Sequence, residues 1–167
     1  MTKKNIKKLL SLKKNNIGIS SVTSYDASFA KLADEAGIDI ILVGDSLGEV
    51  VKGMRNTHSV TVDDICYHTK NVSRGIKNAY LISDMPKNSF NTKREALQNA
   101  RKITRKGMAD MVKIESTPNQ IDIIRHLIKN SIRVCGHIGI QPQKIINKKS
   151  YRKLGLDAKE SQILISE

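Results

Sequence analysis

Asp39-Ile-Ile-Leu-Val-Gly-Asp-Ser46 (DIILVGDS) is the stretch on which the reading of the fold turns. Ile40 to Val43 form an unbroken apolar run. A strand with one wet face alternates apolar and polar residues, whereas a parallel strand covered on both faces does not. The run stops at Gly44 and gives way to Asp45 and Ser46, which a buried strand does not need. Working outward, the same pattern recurs. Ala79-Tyr-Leu-Ile-Ser83 leads into Asp84, and Asp110-Met-Val-Lys-Ile114 leads into Glu115. Ile132-Arg-Val-Cys-Gly136 leads into His137, and the run Ile17–Ser24 leads into Tyr25-Asp26.

Between these strands lie segments of helical period. Residues 3–14 place Ile6, Leu9, Leu10 and Leu12 on one side. Asp26 to Ala36 carries Phe29, Ala30, Leu32 and Ala33, with Gly37 as its stop. Thr61 caps a helix over Val62–Gly75 with Asp64 in the capping-box position, and Thr92 with Glu95 opens a helix to Gly107. Pro118 starts another through Leu127, and the tail from Asp157 to Glu167 begins a last one. Strand and helix alternate throughout, so the class is α/β with a parallel sheet in a single domain, residues 1–167.

In such a sheet the C-terminal strand ends share one face, and that face holds the active site. Asp45, Asp84, Glu115, Lys113 and His137 therefore converge, although they are scattered in sequence. Three oxygen donors suit a hard divalent cation, of which Mg²⁺ takes one or two carboxylates directly and keeps waters. A cation there would polarise a substrate oxygen, and Lys113 could hold an anionic group. Singly, each signal has a plainer reading. An Asp at a strand end is often a cap or turn former, as expected of Asp26, and a lone His is more often structural. Their recurrence at the same end of successive strands outweighs those readings.

Other functions find less support. The net charge is +13, from 29 Lys and Arg against 16 Asp and Glu, which raises a basic nucleic-acid-binding protein as an alternative. Aromatic residues make up only 4% and Trp is absent, so stacking platforms are scarce. The charge collects at Lys3, Lys4, Lys7, Lys8, Lys13 and Lys14, and at Lys144, Lys148, Lys149, Arg152 and Lys153, without a recognition motif. An excess of Lys, Ile and Asn together reads as coding bias in an AT-rich genome. No dinucleotide fingerprint, P-loop or nucleophile elbow occurs. Cys66 and Cys135 are isolated, and no signal-peptide or membrane-length apolar run follows the N-terminus. The expectation is a cytoplasmic protein without membrane or nucleic-acid partners.

Five landmarks in order carry a resemblance: Thr23-Ser-Tyr-Asp26, Val43-Gly-Asp-Ser46, Asp84-Met-Pro86, Met111-Val-Lys-Ile-Glu115 and Cys135-Gly-His-Ile-Gly-Ile-Gln-Pro-Gln143. From about residue 3 onward the chain resembles the N-terminal part of ketopantoate hydroxymethyltransferase. The resemblance implies an incomplete (β/α)₈ TIM barrel with about five βα units present and the C-terminal part missing. At 167 residues the chain is well short of the roughly 250 typical of such a barrel. It implies hydroxymethyl transfer from 5,10-methylenetetrahydrofolate, as co-substrate, to 3-methyl-2-oxobutanoate, giving 2-dehydropantoate in pantothenate synthesis. It implies Mg²⁺ at Asp45, Asp84 and Glu115. It further implies substrate binding by Asp45, Ser46, Asp84, Lys113 and His137, and a homo-oligomer in the full-length family. The family's proton-abstracting Glu matches no position here and is expected beyond residue 167, so the chain alone is expected to be inactive. The alternative is a catalytically dead remnant of that enzyme. Lys87 and Asn88, and Ser116 and Thr117, stand where the family carries an apolar residue first and glycines, respectively.

Overall fold

A computed structural model describes residues 5–145 and 152–166. Lys3, Lys4, Lys148 and Lys149 of the basic clusters, and Glu167 of the tail, lie outside the described residues. Five strands, β1 (Ser21–Thr23), β2 (Ile40–Val43), β3 (Tyr80–Asp84), β4 (Met111–Glu115) and β5 (Val134–His137), form one sheet in the order β1-β2-β3-β4-β5. Every neighbouring pair is parallel. A sequential parallel order with right-handed crossovers places the crossover helices on one side of the sheet. That is a barrel segment: the fold is α/β, with five βα units of a (β/α)₈ barrel.

The helices are α1 (Ile6–Lys14), α2 (Ala27–Glu35), α3 (Leu47–Val50), α4 (Val62–Gly75), α5 (Lys93–Arg105), α6 (Ile121–Lys129) and α7 (Ala158–Ser166). Local chemistry sets their starts. Asp26 Oδ1 accepts from Ser28 N and Phe29 N at 2.8 and 2.9 Å, the capping role expected of it. At α4 the reciprocal box forms: Asp64 N donates to Thr61 Oγ1 at 3.1 Å, and Thr61 N to Asp64 Oδ2 at 2.9 Å. At α5 only half of it forms, because Glu95 accepts from Asn91 N rather than from the cap residue Thr92. Pro118 begins a 3₁₀ turn (Pro118–Gln120), so the regular helix starts only at Ile121. The four-residue α3 carries too short a pattern to stand out in the sequence. β1 is shorter than the Ile17–Ser24 run, since Asp39 takes both Ser20 N and Ser20 Oγ at 2.9 Å and pairing starts only there.

Alternation along the strands gives the sheet two different faces. Ile41, Val43, Leu81 and Val112 face the helices and are fully buried with Ala30, Ile65, Val72, Ala100, Ile103 and Leu127. Burying each Val, Leu or Ile side chain among them stabilises by about 1.5–3 kcal/mol. The opposite face holds Ile40, Leu42, Tyr80, Ile82, Met111 and Cys135, and α1 lays Leu9 across it. Helix α1 is thus an exception to helices outside the barrel. It covers the N-terminal end of the inner face and leaves the C-terminal end to polar groups. None of the described helices is long and apolar enough to cross a membrane.

Candidate active site

The inner-face positions nearest the C-terminal end are Asp84 on β3, Lys113 and Glu115 on β4, and His137 on β5. Register places Asp84 beside Lys113 and Glu115 beside His137. Lys113 Nζ lies 2.6 Å from Asp84 Oδ1, an ion pair with little access to water. His137 Nδ1 stands 3.9 Å from Glu115 Oε1. Asp45 joins from the turn after β2, and its N–H donates to Asp84 Oδ2 at 2.9 Å. That turn requires Gly44: a Cβ there would stand 2.8 Å from Ser46 Oγ and 3.5 Å from Asp84 Oδ2. All five residues singled out from the strand ends therefore meet on one rim. Ser46 is one turn residue further on, its Oγ 2.7 Å from Tyr25 Oη.

Electrostatics at this rim are strained by burial. Asp45, Asp84 and Glu115 are each about 95% buried. Burial and the neighbouring Asp84 push Asp45 up to about 6. Burial pushes Glu115 up to about 7 and raises Asp84 as well, against the pull of Lys113. Burial alone would lower Lys113, but Asp84, with Asp45 and Glu115 near, leaves it above its ordinary value. Burial and Lys113 hold His137 below its ordinary value, so its imidazole is neutral at neutral pH.

These observations bear on a divalent cation. Three carboxylates face one ammonium, so two negative charges are uncompensated when all three are ionised. A divalent cation matches that excess, and Asp and Glu oxygens are the donors it prefers. Among the described residues, no three His, Cys, Asp or Glu side chains stand together as a metal site by themselves. Mg²⁺ does not need that, since it completes its shell with water and substrate oxygens. The donor set fits the ion.

Some residues of the site had no role assigned from sequence. Gln143 Nε2 donates to Asp45 Oδ2 at 2.9 Å, and Gln143 N to both Glu115 oxygens at 3.1 and 3.3 Å. Tyr25 orients Ser46. Both lie inside the quoted landmark runs, but nothing in residue type marked them. Lys87, one of the departures, places Nζ 3.4 Å from His58 Nδ1. Ser116 N donates to His137 O at 3.0 Å, and the Thr117 hydroxyl is bound by Gln120.

A family model described as ketopantoate hydroxymethyltransferase matches residues 3–167. The chain belongs to this family. It is 44% identical over 148 residues to the 3-methyl-2-oxobutanoate hydroxymethyltransferase of Nitrosococcus oceani, covering 89% of this chain and 56% of that one. To the enzyme of the same name from Buchnera aphidicola subsp. Schizaphis graminum it is 43% identical over 162 residues, covering 97% of this chain and 61% of the relative. The chain thus spans under two thirds of the length of these relatives. Among solved structures, phosphoenolpyruvate phosphomutase from Streptomyces platensis subsp. rosaceus superposes with a TM-score of 0.61 at 15% identity, over 76% of this chain and 51% of that one. A 2,3-dimethylmalate lyase of the PEP mutase/isocitrate lyase superfamily gives 0.57 at 14%, over 76% of this chain and 50% of that one. At such identities the likeness concerns the fold, and it is the likeness expected of a barrel segment in a family of barrel enzymes.

Proposed function

We propose that this chain supplies the metal and keto-acid half of a 3-methyl-2-oxobutanoate hydroxymethyltransferase. The reaction moves a hydroxymethyl group from 5,10-methylenetetrahydrofolate to 3-methyl-2-oxobutanoate and gives 2-dehydropantoate, a step of pantothenate synthesis. The observation that carries the reading is the convergence of Asp45, Asp84, Glu115, Lys113 and His137 on one rim in a chain of this family. The isolated thiols Cys66 and Cys135 suit a cytoplasmic setting.

In this reading Asp45 and Asp84 hold Mg²⁺, with Glu115 beside them. Held there, Mg²⁺ would supply Lewis-acid polarisation of the keto oxygen, which would make the neighbouring C–H more acidic. Lys113 sits within reach of the same rim, and its charge holds the substrate carboxylate. Ser46, oriented by Tyr25, donates a hydrogen bond to the keto acid. His137, neutral and largely shielded, lies beside the substrate as a hydrogen-bonding wall. The base that takes the substrate's C3 proton is a Glu outside residues 1–167, on one of the barrel's remaining βα units. Residues 1–167 alone then bind the keto acid without turning it over.

The test joins residues 1–167 to the remainder of the Buchnera relative and follows Mg²⁺-dependent formation of 2-dehydropantoate. Asp45→Ala and Asp84→Ala are each expected to abolish it, because each removes an oxygen ligand from a site with few. Glu115→Gln is expected to cost about 10- to 100-fold, as for groups that support a metal ligand. Full activity in both Asp variants would overturn the assignment.

A further inference from the structure

Gln141-Pro142-Gln143 follows β5 and leads into a 3₁₀ turn (Pro142–Lys144). From this one tripeptide, bonds run to the ends of four strands. Gln141 Nε2 donates to Ser116 O at 2.7 Å and to His137 O at 3.1 Å, tying β4 to β5. Gln143 N donates to the Glu115 carboxylate at the end of β4. Gln143 Nε2 donates to Asp45 Oδ2, just past β2, and to Met85 O, just past β3, at 2.9 and 3.0 Å. Both glutamines are nearly inaccessible, at 5% and 6% exposure.

The Gln143 amide has no freedom to turn. Both of its N–H groups are used, and both partners are pure acceptors. Rotating it by half a turn would set its carbonyl oxygen against the Asp45 carboxylate and the Met85 carbonyl. Asp45 itself needs holding, since it sits on a turn beside two other buried carboxylates that repel it. An ammonium at position 143 would cancel the charge that draws a cation, and a carboxylate would add to the repulsion. An amide orients Asp45 Oδ2 without changing the charge of the site.

We propose that Gln143 is a positioning residue for the divalent-cation site, fixing Asp45 through its side chain and Glu115 through its backbone N–H. This rests on the reading of Asp45 as a metal ligand. The two halves of the clamp are separable, because a side-chain substitution frees Asp45 while the backbone keeps Glu115. Replacement by Met preserves length and removes the donors.

The experiment titrates residues 1–167 with Mn²⁺ alone, by electron paramagnetic resonance of the free ion, for the wild type, Gln143→Met and Asp34→Asn. Asp34 lies away from the rim and holds the start of β3, so Asp34→Asn weakens the fold without touching Asp45. Gln143→Met is expected to weaken Mn²⁺ binding about 10- to 100-fold, and Asp34→Asn to leave it unchanged. If Gln143→Met does not fold, Gln143→Asn, whose amide falls one methylene short of Asp45, is read in its place with the same expectation. A folded Gln143 variant with wild-type Mn²⁺ affinity, or an equal loss in Asp34→Asn, would overturn the positioning role. A wild type that fails to bind Mn²⁺ would overturn the metal reading beneath it instead.

Discussion

Asp34→Ala is expected to be among the most damaging substitutions away from the rim. Asp34 ends the buried side of α2, and its carboxylate receives the chain entering β3. Ala79 N donates to it at 2.6 Å, Asn78 N at 2.9 Å, Lys77 N at 3.1 Å and Asn78 Nδ2 at 3.1 Å. Burial alone would raise Asp34, but the Ala79, Asn78 and Lys77 N–H groups outweigh it and hold its pKa below the ordinary 3.8. Lys77 N and Asn78 N border solvent and can find water when the carboxylate is gone. Ala79 is fully buried and cannot. One lost charge-assisted bond with its buried donor orphaned, plus partial losses at the other three donors, comes to about 2–4 kcal/mol. Asp34→Asn keeps one acceptor for Ala79 and should cost less, about 1–2 kcal/mol. The sign with pH follows from the lowered pKa. The wild-type advantage is present above 3.8 and fades as pH falls through the lower folded-state value. Urea denaturation of the three proteins at pH 7 and pH 3 measures both effects. A loss under about 1 kcal/mol for Asp34→Ala at pH 7, or an Asn deficit that does not shrink at pH 3, would refute the reasoning.

Other expectations follow from the same geometry. Lys113→Met breaks a buried ion pair and should destabilise by about 3–5 kcal/mol, read by denaturant melts; a neutral effect would mean that the pair is solvated. Gly75→Ala drives a methyl into Ala27 O and Lys31 N of α2, both backbone atoms, so overpacking should cost about 1–3 kcal/mol, checked by thermal melting. Asp45 and Glu115 ionise near 6 and 7 in the folded chain against ordinary values of 3.8 and 4.5. The folded state then holds protons that the unfolded state has released, so metal-free stability falls as pH rises across that window. Mg²⁺ needs ionised ligands, and its stabilising effect should be larger at pH 8 than at pH 5; equal melting shifts at the two pH values would contradict this.

The sequence makes the rim legible because strand ends in a parallel sheet carry chemistry at predictable places. An apolar run that stops on Asp45, Asp84, Glu115 or His137 announces both the strand and the rim at which these residues meet. The caps at Asp26 and Thr61 are equally visible, since a side chain bonding three residues along is local chemistry. What escaped depends on contacts between distant segments. Nothing in Gln143 tells of Asp45, 98 residues away, and Tyr25 meets Ser46 only once β1 and β2 pair. Helix α1 could be read as a helix from its period, but not as a cover on the inner face. Its Leu9 partners, Tyr80, Ile82 and Met111, lie far along the chain.

The central claim is that Asp45, Asp84 and Lys113 form a cation-dependent keto-acid site. Isothermal titration of 3-methyl-2-oxobutanoate into residues 1–167 tests it most directly, with Mg²⁺ present and again in excess chelator. The account predicts binding with Mg²⁺ that disappears in chelator and in Asp84→Ala. Binding of equal strength without the ion, or none with it, would contradict the account.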